Sequence, residues 1–205
     1  MDIKTTALID GDSLLYFEMG KDTLEEAISS LDNRLIEMME KCGSDKYAGF
    51  LTIGKCFRYE KAKTRKYKGN RKHGDKPIIF YALKEYLKQV WNFTYVSVLE
   101  ADDLVAVYGE GLDGVTVICS PDKDVLYQVE GYHYNYRTAK FIHTTAPEAE
   151  TFLWKQMLMG DPTDGIPGIP KVGEKTATSW LNEVPLQDMP MFVLKKYIEK
   201  FGNSE

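Results

Sequence analysis

Long apolar runs are missing from this chain. The longest, such as VTVIC at 115–119, have the length of a buried strand and fall far short of a membrane span. Cysteine is scarce. Cys42, Cys56 and Cys119 are odd in number and lack metal-ligand spacing, so they read as free thiols in a reducing cytoplasm. The first residues, MDIKTTALIDGD, have neither the basic start nor the apolar stretch and small-residue cleavage site of a signal peptide. Repeats and low-complexity tracts are absent. Histidine is limited to three residues, and the chemistry argued below needs none of them.

What is present is enough for a folded body. At 205 residues and 43% hydrophobic, the chain can build one sizeable α/β domain, or one domain plus a small appendage. The net charge of −5 is unfavourable for a protein that meets nucleic acid, but its distribution is uneven. Residues 55–76 hold ten Lys and Arg against two acids, a local charge of about +8 that leaves about −13 on the remainder. One basic strip on an acidic body suggests a localised phosphate contact.

Hydrophobic periodicity orders the chain. TTALI (5–9) predicts a buried strand, and 23–41 carries apolar residues at helical spacing up to Gly43. YAGFLTI (47–53), FTYVSV (93–98) and VTVICS (115–120) predict further strands, with helices over 77–91, from about 101 to 108, over 151–160 and over 174–181. YHYNYR (132–137) alternates as an edge or hairpin strand does. Strands separated by helices imply a mainly parallel sheet with helices on both faces.

Carboxylates stand where the strands end. Asp10 and Asp12 follow the first strand, Glu100, Asp102 and Asp103 the third, Asp122 and Asp124 the fourth, and Asp161 and Asp164 lie on a later turn. Parallel sheets bind ligands at the carboxyl ends of their strands, so these groups are expected to converge. Gathered unaided, they would repel one another and resist ionisation. Divalent cations resolve that conflict, and an oxygen-only ligand set favours Mg²⁺ or Mn²⁺. Two such ions can support in-line phosphoryl displacement. Each group also has an ordinary structural explanation: Asp10 and Asp12 closing a turn, Asp102 and Asp103 complementing a helix dipole, Asp122 and Asp124 capping a helix. It is the coincidence of four groups that points to a metal centre.

FRYEKAKTRKYKGNRK (57–72) mixes cations that neutralise phosphate with tyrosines, Tyr59 and Tyr67, that can stack on bases. A solvated charged loop is the plainer alternative. In GIPGIPKVGEKTA (165–177), Gly168 and Gly173 are expected to permit tight turns. The helix that follows presents its amides to a backbone phosphate, with Lys171 and Lys175 adding charge. An ordinary inter-helix loop is the alternative there.

IDGDSLLY, EADDLVA, SPDKDVLYQV and GDPTDGIPGIPKVGEKTA, in that order, together with the basic segment, resemble the 5′-nuclease family. That family includes bacteriophage 5′–3′ exonucleases, flap endonucleases and the 5′-nuclease domain of bacterial DNA polymerase I. The resemblance spans nearly the whole chain. It implies a PIN-like domain over 1–155 with a basic arch segment at about 55–90. A helix–three-turn–helix element and a C-terminal helix would follow over 156–205. By the same resemblance Asp10, Glu100 and Asp102 would hold a first metal, and Asp122, Asp124, Asp161 and Asp164 a second, with Asp102 or Asp103 near both. Lys68 and Arg71, with Arg58, match arch residues at the scissile phosphate. Arg65, Lys66, Tyr67 and Lys72 would line the DNA, and the turn at 168–173 would grip duplex backbone, with a potassium ion on its carbonyls. The expected substrate is DNA with 5′ ends, flaps or junctions. The expected protein is a monomer, away from membranes, in the cytoplasm of its cell, or of the host if phage-encoded.

The chain departs from the family pattern at LTIGKCFR, where relatives carry an Asp before the Phe-Arg pair. Asp12, where many relatives are uncharged, is expected to supply part of that charge. Relatives also usually continue past 205, so a compact or truncated form is expected to grip duplex less firmly. Two other classes fit parts of the sequence. A haloacid-dehalogenase-type phosphatase would account for IDGDSL and GDPTDG but leaves the basic strip without a role. A catalytically weakened protein that binds 5′ junctions would follow from the missing carboxylate.

Overall fold

The computed structural model describes residues 5–63, 65–70, 74–111 and 114–202. The chain divides into two compact units, Met1–Phe57 with Gly74–Thr144, and Arg58–His73 with Thr145–Glu205. Residues 58–73, most of the basic segment, thus group with the C-terminal residues from Thr145 onward.

The first unit is built on a six-stranded sheet. Its strands are β1 (Thr5–Asp10), β2 (Lys46–Cys56), β3 (Thr94–Val98), β4 (Val115–Cys119), β5 (Gly131–Asn135) and β6 (Lys140–Thr144). They lie in the order β3-β2-β1-β4-β5-β6, parallel throughout except for the antiparallel β5–β6 pair. The connecting helices are α1 (Gly11–Glu18), α2 (Leu24–Cys42), α3 (Ile78–Gln89), α4 (Ala101–Gly111) and α5 (Lys123–Gln128).

Alternation along β1 sorts the helices onto two faces. Ala7 and Ile9 pack with Leu14 and Leu15 of α1, Leu31 and Leu35 of α2, and Leu83 and Leu87 of α3. Leu8 points the other way, to Val105 of α4 and Val125 of α5. All three β1 side chains are fully buried, as a central parallel strand requires. α3 joins this core through Phe80, Leu83 and Leu87, which places it with the first unit.

The second unit contains a helical turn at Arg58–Lys61, α6 (Ala146–Met159), a minimal antiparallel pair β7 (Gly160–Asp161) and β8 (Ile166–Pro167), α7 (Glu174–Leu181) and α8 (Met189–Phe201). Its core joins Leu158, Ile169, Ala177, Leu181, Met189 and Val193. α6 starts five residues earlier than the apolar spacing predicts. The Thr145 amide donates to Glu148 Oε2 at 2.9 Å, a capping contact that fixes the true start. Among the described residues no helix is long and apolar enough to cross a membrane.

Candidate functional site

The carboxyl edge of the sheet in the first unit is tied together by hydrogen bonds that run from strand to strand. Asp10, the last residue of β1, is only 3% exposed. Its Oδ1 accepts the Asp12 and Ser13 amides at 3.1 and 3.3 Å. Its Oδ2 accepts the Ser13 hydroxyl at 2.6 Å and the Ser120 hydroxyl, just past β4, at 3.1 Å. On the other side, Asp12 Oδ1 accepts the Thr52 amide of β2 at 3.1 Å. Thr52 Oγ1 in turn accepts the amide of Ala101, next to Glu100, at 2.8 Å. The ends of β4 and β1, the middle of β2 and the start of α4 are therefore joined in one line. Gly11 makes the tight exit from β1 possible: a Cβ there would stand 2.5 Å from the Phe50 carbonyl oxygen.

Several of these acids also perform the ordinary structural duty that their positions suggested. Asp10 caps α1 and Asp122 caps α5, accepting the Asp124 amide at 2.8 Å. Asp103 Oδ2 accepts the Glu100 amide at 2.9 Å at the start of α4, and Asp102 Oδ1 accepts the Asp103 amide at 2.8 Å. Among the described residues, no three His, Cys, Asp or Glu side chains stand together as a ready-made cage.

Burial governs the electrostatics of the edge. Burial, with Asp12's charge as a lesser contributor, pushes the Asp10 carboxyl up to about 6 against the bonds from Ser13 and Ser120. Asp12 is raised for the same first reason, burial, and Glu100 adds repulsion, while its bonds to Thr52 and the charge of Lys84 hold it down. Carboxylates kept this far from water are reluctant to ionise alone, and a cation relieves that penalty. The acids at this edge offer oxygen donors only, a set whose chemistry suits a hard divalent cation.

In the second unit, Asp161 is buried, with Oδ1 accepting the Thr163 amide at 2.8 Å and Oδ2 the Gln156 side-chain amide at 3.1 Å. Asp164, half-buried, lies three residues on. Asn70 donates to the Pro162 carbonyl at 2.7 Å and so fastens the basic segment to this acidic turn. Tyr59 and Tyr67 meet edge to face at 5.2 Å, and the Lys68 ammonium lies 4.8 Å from the Tyr67 ring centre. Arg58 is half-buried and Arg65 and Lys66 are exposed, whereas Arg71 and Lys72 fall outside the described residues.

Of the two glycines expected to permit tight turns, only Gly168 requires glycine. A Cβ on it would stand 2.0 Å from the Met159 carbonyl carbon and 2.3 Å from the Gly160 nitrogen, so close do the β7 and β8 backbones run. Gly173 corrects the expectation. It caps α7 in extended backbone, φ −108° and ψ −177°, with open space where a Cβ would stand. Lys171, at φ 69°, takes the left-handed conformation instead.

Ser13, Thr52, Lys84 and Ser120 were not marked by the sequence. Ser13 and Ser120 stand inside IDGDS and SPDKD, whose acids drew the attention, but nothing local flags Thr52 or Lys84.

No family model matches the chain. DNA polymerase I of Mycobacterium bovis is 28% identical over 213 aligned residues, covering 87% of this chain and 23% of the polymerase. A 5′-3′ exonuclease of Streptomyces coelicolor is 31% identical over 106 residues, 43% of this chain and 34% of that protein. The chain thus spans between about a quarter and a third of the length of these relatives. A bacteriophage T5 flap endonuclease, solved with DNA and metal ions, superposes with a TM-score of 0.67 at 16% identity, covering 95% of this chain and 93% of its own. The resemblance to the 5′-nuclease family therefore holds in sequence and in fold. The catalytic core of Rad2 in complex with DNA substrate also superposes, with a TM-score of 0.61 at 13% identity, covering 98% of this chain and 64% of that one. At such identities the solved structures speak for the fold, a mainly parallel sheet flanked by helices.

Proposed function

We propose that the chain is a structure-specific 5′ nuclease, a 5′–3′ exonuclease or flap endonuclease that hydrolyses DNA phosphodiesters with the help of divalent cations. The observation that carries this reading is the line of hydrogen bonds joining Ser120, Asp10, Asp12, Thr52 and Ala101, which collects acidic loops at one sheet edge. The polymerase and exonuclease relatives, and the DNA in the T5 and Rad2 structures, support the substrate class.

Asp10, Asp12, Glu100, Asp102, Asp103, Asp122 and Asp124 are the cation ligands proposed on the first unit. Asp161 and Asp164 are proposed as ligands on the resemblance alone. Two ions, Mg²⁺ or Mn²⁺, would supply water activation and charge stabilisation when bound. The protein's own part is to hold the DNA and align the scissile phosphate. Lys68, Arg71 and Arg58 balance phosphate charge, and Tyr67 stacks on an unpaired base. Arg65, Lys66 and Lys72 follow the strand. The turn about Gly168, the α7 amides after Gly173, and Lys171 and Lys175 hold duplex backbone, with K⁺ as a further ligand of that turn. Because these contacts are to backbone, recognition is of structure rather than sequence.

The test is digestion of labelled 5′-flap, nicked and single-stranded DNA with Mg²⁺, Mn²⁺ or chelator, with Asp10→Ala as control. Metal-dependent shortening from or near the 5′ end is expected, lost in the control. Tight junction binding with no product under either metal would replace the nuclease by a binding protein. Phosphate release from a small ester without DNA cleavage would point to a phosphatase.

A further inference from the structure

β1 stops at Asp10, opposite Phe50, while β2 runs on. Two residues further, Thr52 presents three polar backbone and side-chain atoms to the acidic edge. Its amide goes to Asp12, its hydroxyl takes the Ala101 amide beside Glu100, and its carbonyl accepts the ammonium of Lys84. Lys84 reaches there from α3, where its neighbour Leu83 is fully buried, and its ammonium also lies 5.5 Å from the centre of the Tyr95 ring. An anion and a cation are thus fixed on one residue of one strand. Nothing in the 5′-nuclease resemblance assigns a role to this lysine.

We infer that Lys84 is a built-in counter-ion of the acidic edge, a positioning residue that stabilises the Asp12 carboxylate without metal and weakens the uptake of a divalent cation there. The inference rests on the metal-binding reading above. A fixed positive charge beside Asp12 offsets part of the repulsion from Glu100, the direction in which it already moves the Asp12 carboxyl. The same charge repels an incoming dication. Across several ångströms of partly wet protein, that repulsion amounts to roughly three- to tenfold in affinity.

The test separates charge from tether. Lys84→Gln keeps a donor for the Thr52 carbonyl and removes the charge; Lys84→Arg keeps both. Mn²⁺ binding is measured by calorimetry and by the electron paramagnetic resonance of free Mn²⁺, and melting is followed in chelator. Expected is roughly three- to tenfold tighter Mn²⁺ binding by Lys84→Gln, with Lys84→Arg matching the wild type. Lys84→Gln should also melt below the wild type in chelator, with the gap closing as Mn²⁺ saturates. In an Asp12→Asn background the effect of Lys84→Gln on melting in chelator should shrink. Equal or weaker Mn²⁺ binding by Lys84→Gln, or Lys84→Arg behaving like it, overturns the inference. A wild type that takes up no Mn²⁺ refutes the metal reading itself, a separate result.

Discussion

Asp10→Asn should make the metal-free protein more stable at neutral pH, and the gain should depend on pH in a defined way. Asp10 is 3% exposed and its carboxyl is pushed up to about 6 from 3.8, chiefly by burial. At 1.36 kcal/mol per pKa unit, keeping it ionised in the folded state costs about 3 kcal/mol. Because the folded pKa lies above the unfolded one, the protonated acid favours folding. That contribution is full below about pH 4 and is lost as pH rises through about 6. Asparagine retains an oxygen for the Asp12 and Ser13 amides and removes the charge. In chelator, the stability of Asp10→Asn minus wild type should therefore rise by about 3 kcal/mol between about pH 3 and pH 7. For a chain of this size that is roughly 6–12 °C in the melting temperature of the first unit. Differential scanning calorimetry at a series of pH values measures it, and the difference curve cancels groups that titrate alike in both proteins. Saturating Mg²⁺ should raise the wild type far more than the variant. A flat difference curve from about pH 3 to pH 7 would refute the claim that burial, unrelieved by a cation, governs this carboxylate.

Gly168→Ala must displace backbone at Met159 and Gly160 and should cost on the order of 3 kcal/mol, whereas Gly173→Ser should change stability by less than about 0.5 kcal/mol; thermal melts of the two variants check the contrast. Arg34→Met leaves Glu18, fully buried and paired with Arg34, without its cation, for an expected loss of about 3–5 kcal/mol in denaturant titrations; adding Glu18→Gln should recover much of it. DNA affinity should fall linearly in logarithmic plots against salt, and Lys66→Ala should reduce the slope by about 1 without altering preference among sequences.

The parts of this protein that could be read in the sequence are those set by local chemistry. Central strands announce themselves as apolar runs because both faces are covered, and α7 begins and ends where its spacing predicts, at Glu174 and Leu181. Gly43 closes α2 in the left-handed conformation that its identity suggests. Where tertiary packing decides, the sequence is silent. KFIHT, which becomes β6, has half-exposed Phe141 and exposed His143, and is a strand because it pairs with β5. α1 begins inside IDGDS, a stretch dense with turn residues, because Asp10 turns back to cap it.

The candidate site divides the same way, and the division bears on how its acids should be understood. Strand ends and carboxylates are visible in order along the chain. The groups that bind them to one another, Thr52, Lys84 and Ser120, come from distant stretches and are polar residues of no unusual spacing. Capping and metal binding, treated on sequence as competing explanations, are compatible for Asp10, Asp103 and Asp122. A helix N-terminus and a divalent cation are both positive, and a carboxylate between them satisfies each. Capping fixes where the carboxylate stands without metal, and burial fixes how costly it is to leave it charged. The caps and the raised Asp10 carboxyl are two consequences of one design choice, an acid placed at the end of a fully covered strand, and only the second asks for a cation.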